Sequence, residues 1–178
     1  SDLMSQISFV TQNTFLFKKS IRDNIMMGNP EATEEEMMQA AKDAVCHDFI
    51  MRLPKGYDTV IDKETKLSGG EKQRITLARA ILKNAPVVIL DEATAYIDAD
   101  NEDLLQKALA KLSEEKTVLV IAHRLSSIKE ADSIVVLEQG KVIDCGTHDE
   151  LINRCSPYQD MWAAFEQSDQ WKMGGVNA

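Results

Sequence analysis

The sequence has 178 residues, 44% of them apolar and 28% charged, the balance of a globular chain with room for a buried core. A net charge of −9 argues against a basic surface spread for nucleic acid or anionic lipid, but still permits a local phosphate site built from backbone N–H groups. The longest apolar stretches, Val87–Leu90 and Val118–Ala122, are too short to span a bilayer, and the polar opening SDLMSQ is no signal peptide.

In chain order, ISFV (Ile7–Val10) predicts a short strand and TQNT a polar turn. Ser20 to Met27 reads as helix, stopped by Gly28–Pro30. Thr33 and Glu36 form a capping box for a helix to about Val45, and HDFIMRL supplies a short second one. PKGYDTVIDKET reads as loop. Helix resumes over Glu71–Lys83, with Ile75, Ala78 and Leu82 on one face. PVVIL and TVLVIA are continuous apolar runs expected of strands buried on both faces. Between them Asn101–Glu115 is an amphipathic helix with Asp100 as its N-cap, so the three elements make a βαβ unit. SIVVLEQGKVIDCG predicts a hairpin turning at Gln139–Gly140, and Thr147 with Glu150 is another capping box. Residues after Gln170 read as a loose tail. Cys46, Cys145 and Cys155 show no C-x-x-C spacing and read as reduced, intracellular and structural, with a zinc site the distant alternative.

Three positions follow predicted strands, where open parallel sheets bind ligands. Asp91 and Glu92 end VVILDEAT; adjacent carboxylates there suit a magnesium–phosphate site, one holding the hydrated metal and the other taking a proton from attacking water. The ordinary alternative is a solvated strand end. His123 ends the next strand and is a candidate for contacting a terminal phosphate, against the commoner structural role. Gln12 follows the first strand and offers an amide to the metal or the water. In KLSGGEKQR, Ser68 and Glu71 have capping-box spacing, which puts Gly69 and Gly70 in the first helical turn. Glycine costs about 1 kcal/mol in a helix interior, less in the first turn. A phosphate resting on Ser68, Gly69 and Gly70 would offset that cost, since a helix N-terminus offers free N–H groups and a positive dipole end. The alternative is an ordinary helix start after a loop.

Together and in this order, these segments resemble the nucleotide-binding domain of ABC transporters from about Ile7 to Phe165. VTQNTFLF resembles the Q-loop, LSGGEKQR the signature motif, VVILDEAT the Walker B motif with its catalytic glutamate, AYIDAD the D-loop and IAHRLSSI the switch-histidine segment. The resemblance implies an α/β, P-loop NTPase-like parallel-sheet core of the ABC ATPase type, incomplete at the N-terminus, with an inserted α-helical subdomain. It implies a partial nucleotide-binding domain over 1–170: a Q-loop strand and loop at 1–19, a helical subdomain bearing the signature at 20–83, a Walker B, D-loop and switch-histidine α/β part at 84–170, and a tail at 171–178. It implies ATP and Mg2+ as cofactors. Glu92, His123 and Gln12 take catalytic roles, Asp91 and Gln12 the metal, and Ser68, Gly69, Gly70, Glu71 and Asp98 the nucleotide.

FLFKKSIRDNI, LPKGYDTVI and HRLSSIKEADSIVVLEQGKVIDCGTHDELI resemble exporter sequences. This implies ATP hydrolysis coupled to export, at the cytoplasmic face of the cell membrane. The implied partners are a transmembrane domain and a second, head-to-tail nucleotide-binding domain, with no nucleic acid. The competing readings are a soluble ABC-type ATPase and a non-catalytic, ABC-like regulatory module; the exporter-like text disfavours the first, and Glu92 with His123 the second.

There are departures from the pattern. No G-x-x-x-x-G-K-[ST] occurs; in the family that phosphate-cradling loop lies upstream of the Q-loop. The expectation is of a fragment whose chain alone neither binds MgATP tightly nor turns it over, and which exposes apolar sheet surface. VIDKETK lacks the usual glycine-containing segment before the signature, and Tyr96 is bulky for a D-loop.

Overall fold

The β-branched run Ile7–Thr11 forms β1, in a computed structural model that describes residues 3–11, 14–62, 65–91, 99–121 and 128–174. For residues 99–102 and 167–174 it describes the backbone alone. β1 pairs in parallel with β2 (Val87–Asp91), which pairs in parallel with β3 (Thr117–Ile121), giving a sheet ordered β1-β2-β3 among the described residues. The register aligns Thr11 with Asp91 and Asp91 with Ile121, so the carboxyl ends of the strands finish level.

The chain forms two compact units, Ser1–Ile121 and Ala122–Ala178. In the first, α1 (Ile21–Met26), α2 (Glu34–Asp43) and α3 (His47–Arg52) follow β1, and α4 (Gly69–Lys83) leads back to β2. Capping boxes start α1, α2 and α4, at Ser20, Thr33 and Ser68. Asn84, left-handed at φ 49°, closes α4 and turns the chain into β2. A single core joins Val10, Val88 and Leu90 of the sheet to Ile21, Ile25, Met37, Ile75, Ala78 and Leu82 of the helices. α5 (Ala99–Ser113) adds Leu105, Ala108 and Leu112, spaced to share one helical face.

In the second unit β4 (Ile134–Glu138) and β5 (Lys141–Gly146) form the expected hairpin. Gln139 and Gly140 both have positive φ, 50° and 76°, as a type I′ turn requires. Ile134 and Val136 pack on Leu151 of α6 (His148–Arg154) and Tyr158 of α7 (Ser156–Gly174).

Several expectations are corrected. β3 is not a dry strand: Leu119, Val120 and Ile121 are 52%, 45% and 47% exposed, because among the described residues β3 is an edge strand with only Val118 packed against the core. β2 alternates, with Val88 and Leu90 buried and Val87 and Ile89 half-buried. Asp100 is not an N-cap, since the helix already includes Ala99. The loop after α3 contains a 3-10 turn, Gly56–Asp58, and a bridge from Val60 to Ser20. Finally, α7 continues past Gln170 to Gly174, no helix breaker intervening before that glycine.

Candidate functional site

The N-terminus of α4 is the most fully described part of the site. Ser68 is extended (φ −65°, ψ 163°), and its Oγ accepts from the Glu71 N–H at 3.1 Å. Glu71 Oε2 in turn accepts from the Ser68 N–H at 2.8 Å. This reciprocal pair uses the donors at either end of the turn and leaves those of Gly69 and Gly70, which have no carbonyl one turn earlier to meet. Among the described residues neither N–H meets an acceptor. A Cβ built at Gly69 meets nothing within 4 Å, so the space before the helix is open. Such an end suits an anion: two N–H groups at the first helical turn, the positive end of a four-turn dipole, and a serine hydroxyl whose proton is still available.

Asp91 is the last residue of β2 and half-buried, level with Thr11 on one side and Ile121 on the other. Gln12 comes one residue after Thr11 in the sequence, Glu92 one after Asp91, and His123 two after Ile121. Gln12, Glu92, Asp98 and His123 themselves lie outside the described residues. The strands thus bring three strand ends together, and α4 gathers Ser68, Gly69, Gly70 and Glu71 at one helix start.

No group of three or more His, Cys, Asp or Glu side chains able to hold a metal occurs among the described residues. Asp91, at the carboxyl end of β2, is a carboxylate of the kind Mg2+ uses alongside waters and phosphate oxygens. The open α4 start likewise fits a nucleotide phosphate. The three cysteines are free thiols, Cys46 and Cys155 buried and Cys145 exposed.

Two residues that the sequence reading passed over stand behind this site. Asn24 of α1 is fully buried, and Arg79 of α4 reaches it. The signal was present: Arg79 follows Ile75 by four residues and precedes Leu82 by three, a charged residue on the apolar stripe.

The parallel sheet with helices inserted between β1 and β2 sets the frame for comparison with known proteins. A profile of the family described as ABC transporter matches residues 1–95, more than half of the chain, and the chain belongs to that family. It is 50% identical over 161 residues to the Bacillus subtilis (strain 168) ATP-binding/permease protein YgaD, whose name assigns it to multidrug export; the match covers 90% of this chain and 28% of that protein. A similarly named protein of Staphylococcus aureus (strain NCTC 8325 / PS 47) is 48% identical over 162 residues, with coverage of 90% and 28%. Among solved structures, a bacterial Atm1-family ABC exporter with ATP bound superposes with a TM-score of 0.78 at 41% identity, again over 90% of this chain and 28% of that one. The chain therefore has the fold of an ABC exporter ATPase and spans under a third of the length of these relatives. Among the described residues no helix is long and apolar enough to cross a membrane.

Proposed function

We propose that this chain supplies the signature and Walker B part of a nucleotide-binding domain in an ABC exporter. That domain, working with a transmembrane domain at the cytoplasmic membrane face, couples ATP hydrolysis to export. The observation that carries the reading is the start of α4, where Gly69 and Gly70 leave two N–H groups and open space for a phosphate. Exporter relatives at 50% and 48% identity support the transport assignment.

In this reading Ser68, Gly69 and Gly70 close on the γ-phosphate of a nucleotide held by a second, head-to-tail domain. Glu71 keeps the helix start rigid, and Asp98 lines the same junction. Asp91 and Gln12 hold Mg2+, which when bound neutralises charge on the transferring phosphate. Glu92 takes a proton from the attacking water, and His123 contacts the terminal phosphate from its own strand end. The 178 residues hold no G-x-x-x-x-G-K-[ST] to cradle the β- and γ-phosphates, so in this reading the chain by itself turns over no ATP.

The test is ATP turnover by the full-length protein with and without Glu92→Gln. Loss of a general base lowers the rate about 10²–10⁴-fold, with ATP binding retained. Equal turnover by the two proteins would contradict the assignment.

A further inference from the structure

Residues 15–17 belong to no helix or strand, yet a polar network centred on the buried Asn24 and the half-buried Arg79 holds their backbone. Arg79 Nη1 donates to the Phe15 carbonyl at 3.3 Å. Its Nε donates to the Asn24 carbonyl at 2.7 Å and its Nη2 to Asn24 Oδ1 at 2.9 Å. Asn24 Oδ1 also accepts from the Phe17 N–H at 2.9 Å, while its Nδ2 donates to the carbonyls of Phe17 (3.0 Å) and Ser20 (2.9 Å). The amide therefore uses both lone pairs and both protons. Above this network the guanidinium lies 5.8 Å from the Phe17 ring centroid, and Phe17 meets Phe15 edge-on at 4.8 Å. Burial lowers the Arg79 pKa, but an arginine stays charged, and the fork matches three acceptors that a lysine point charge cannot reach together.

The backbones meet at the same place. A Cβ on Gly28 would clash with the Arg79 carbonyl oxygen, so the turn that ends α1 rests directly on α4. From Arg79 the helix runs ten residues back to Gly69, about 15 Å of continuous rod at 1.5 Å per residue.

We propose that Arg79, acting through Asn24, is a positioning residue: it ties the segment after Gln12 to α4, so that a displacement at residues 15–17 is delivered to Ser68–Gly70. This rests on the function proposed above and goes beyond it, since neither residue touches nucleotide. A network that merely held the fold together would alter stability without altering the catalytic constants of folded protein.

The experiment measures kcat, KM for ATP and melting temperature of the full-length protein carrying Arg79→Lys, Asn24→Asp, both together, or Arg22→Ala. Arg22 pairs with Glu34 and Asp58 on the surface and has no bond to residues 15–17, so it serves as comparator. Arg79→Lys and Asn24→Asp are each expected to lower kcat about tenfold with KM within about twofold. The double variant should lose little more than either single one, as for residues acting as a unit. Arg22→Ala should stay within about twofold of the parent. A folded Arg79→Lys protein with parental kcat overturns the inference. So does a loss that only tracks the unfolded fraction, including failure of both single variants to fold. If the parent itself hydrolyses no ATP, the proposed function falls and this inference with it; an active parent with an indifferent Arg79→Lys overturns this inference alone.

Discussion

The helical region between β1 and β2 is the more polar sequence, yet its apolar residues end buried while those of the apolar strand β3 do not. Ile21, Ile25, Met37, Ile50 and Ile75 are fully buried, whereas Leu119, Val120 and Ile121 each leave about half their surface in water. The helices close on one another and on β1, so their apolar stripes have partners within the described chain. Among the described residues β3 has a partner strand along one edge only. An apolar run therefore reports what a segment is able to bury, while topology decides whether it does.

Substitutions can break or sharpen that contrast. Ile75→Ala should cost about 2–5 kcal/mol by leaving a cavity where α4 meets the core, measured by denaturant unfolding. Gly28→Ala should follow at about 1–3 kcal/mol, because its methyl meets the Arg79 carbonyl and α1 must shift. Alkali should act on the same region. Burial raises the Cys46 thiol from 9.0 to about 12 and the Tyr57 phenol from 10.0 to about 12. Both are raised above their unfolded values, so their contribution is complete below about pH 9 and is lost as pH rises toward about 12. Unfolding curves should therefore weaken across that window, and Cys46→Ala should flatten the decline. The smallest effect is expected on β3, where Leu119→Thr should change stability by less than about 0.5 kcal/mol. Light scattering should show less self-association in that variant, since it removes exposed apolar edge. A loss from Leu119→Thr as large as that from Ile75→Ala would mean the two regions do not differ as described.

Much of the fold was legible because its signals are local. Ser68, Thr33 and Thr147 announce their helices through the residue three places on, and Gly140 announces the hairpin turn as the residue that takes positive φ at least cost. The exposure of β3 was not legible, because it depends on which strand lies beside it rather than on its own side chains. Helix ends failed for a similar reason: nothing near Asp100 marks whether the first turn begins one residue earlier. For the candidate site, the helix start at Ser68 was readable from its capping-box spacing. Arg79 left one trace, a charge on the apolar stripe, but its tie to Asn24 left none, because those bonds cross 55 positions of sequence and only folding brings them together.

Gly69→Asp tests the central claim most directly, because the two readings of that helix start predict opposite results. The site is open, and an acidic residue in the first turn of a helix stabilises it by about 0.3–1 kcal/mol. If the start of α4 receives a phosphate, the variant of the full-length protein should melt no lower than the parent and yet lose its ATP turnover, since a carboxylate now stands where the phosphate rests. A folded Gly69→Asp protein that hydrolyses ATP at the parental rate would show that no phosphate binds there.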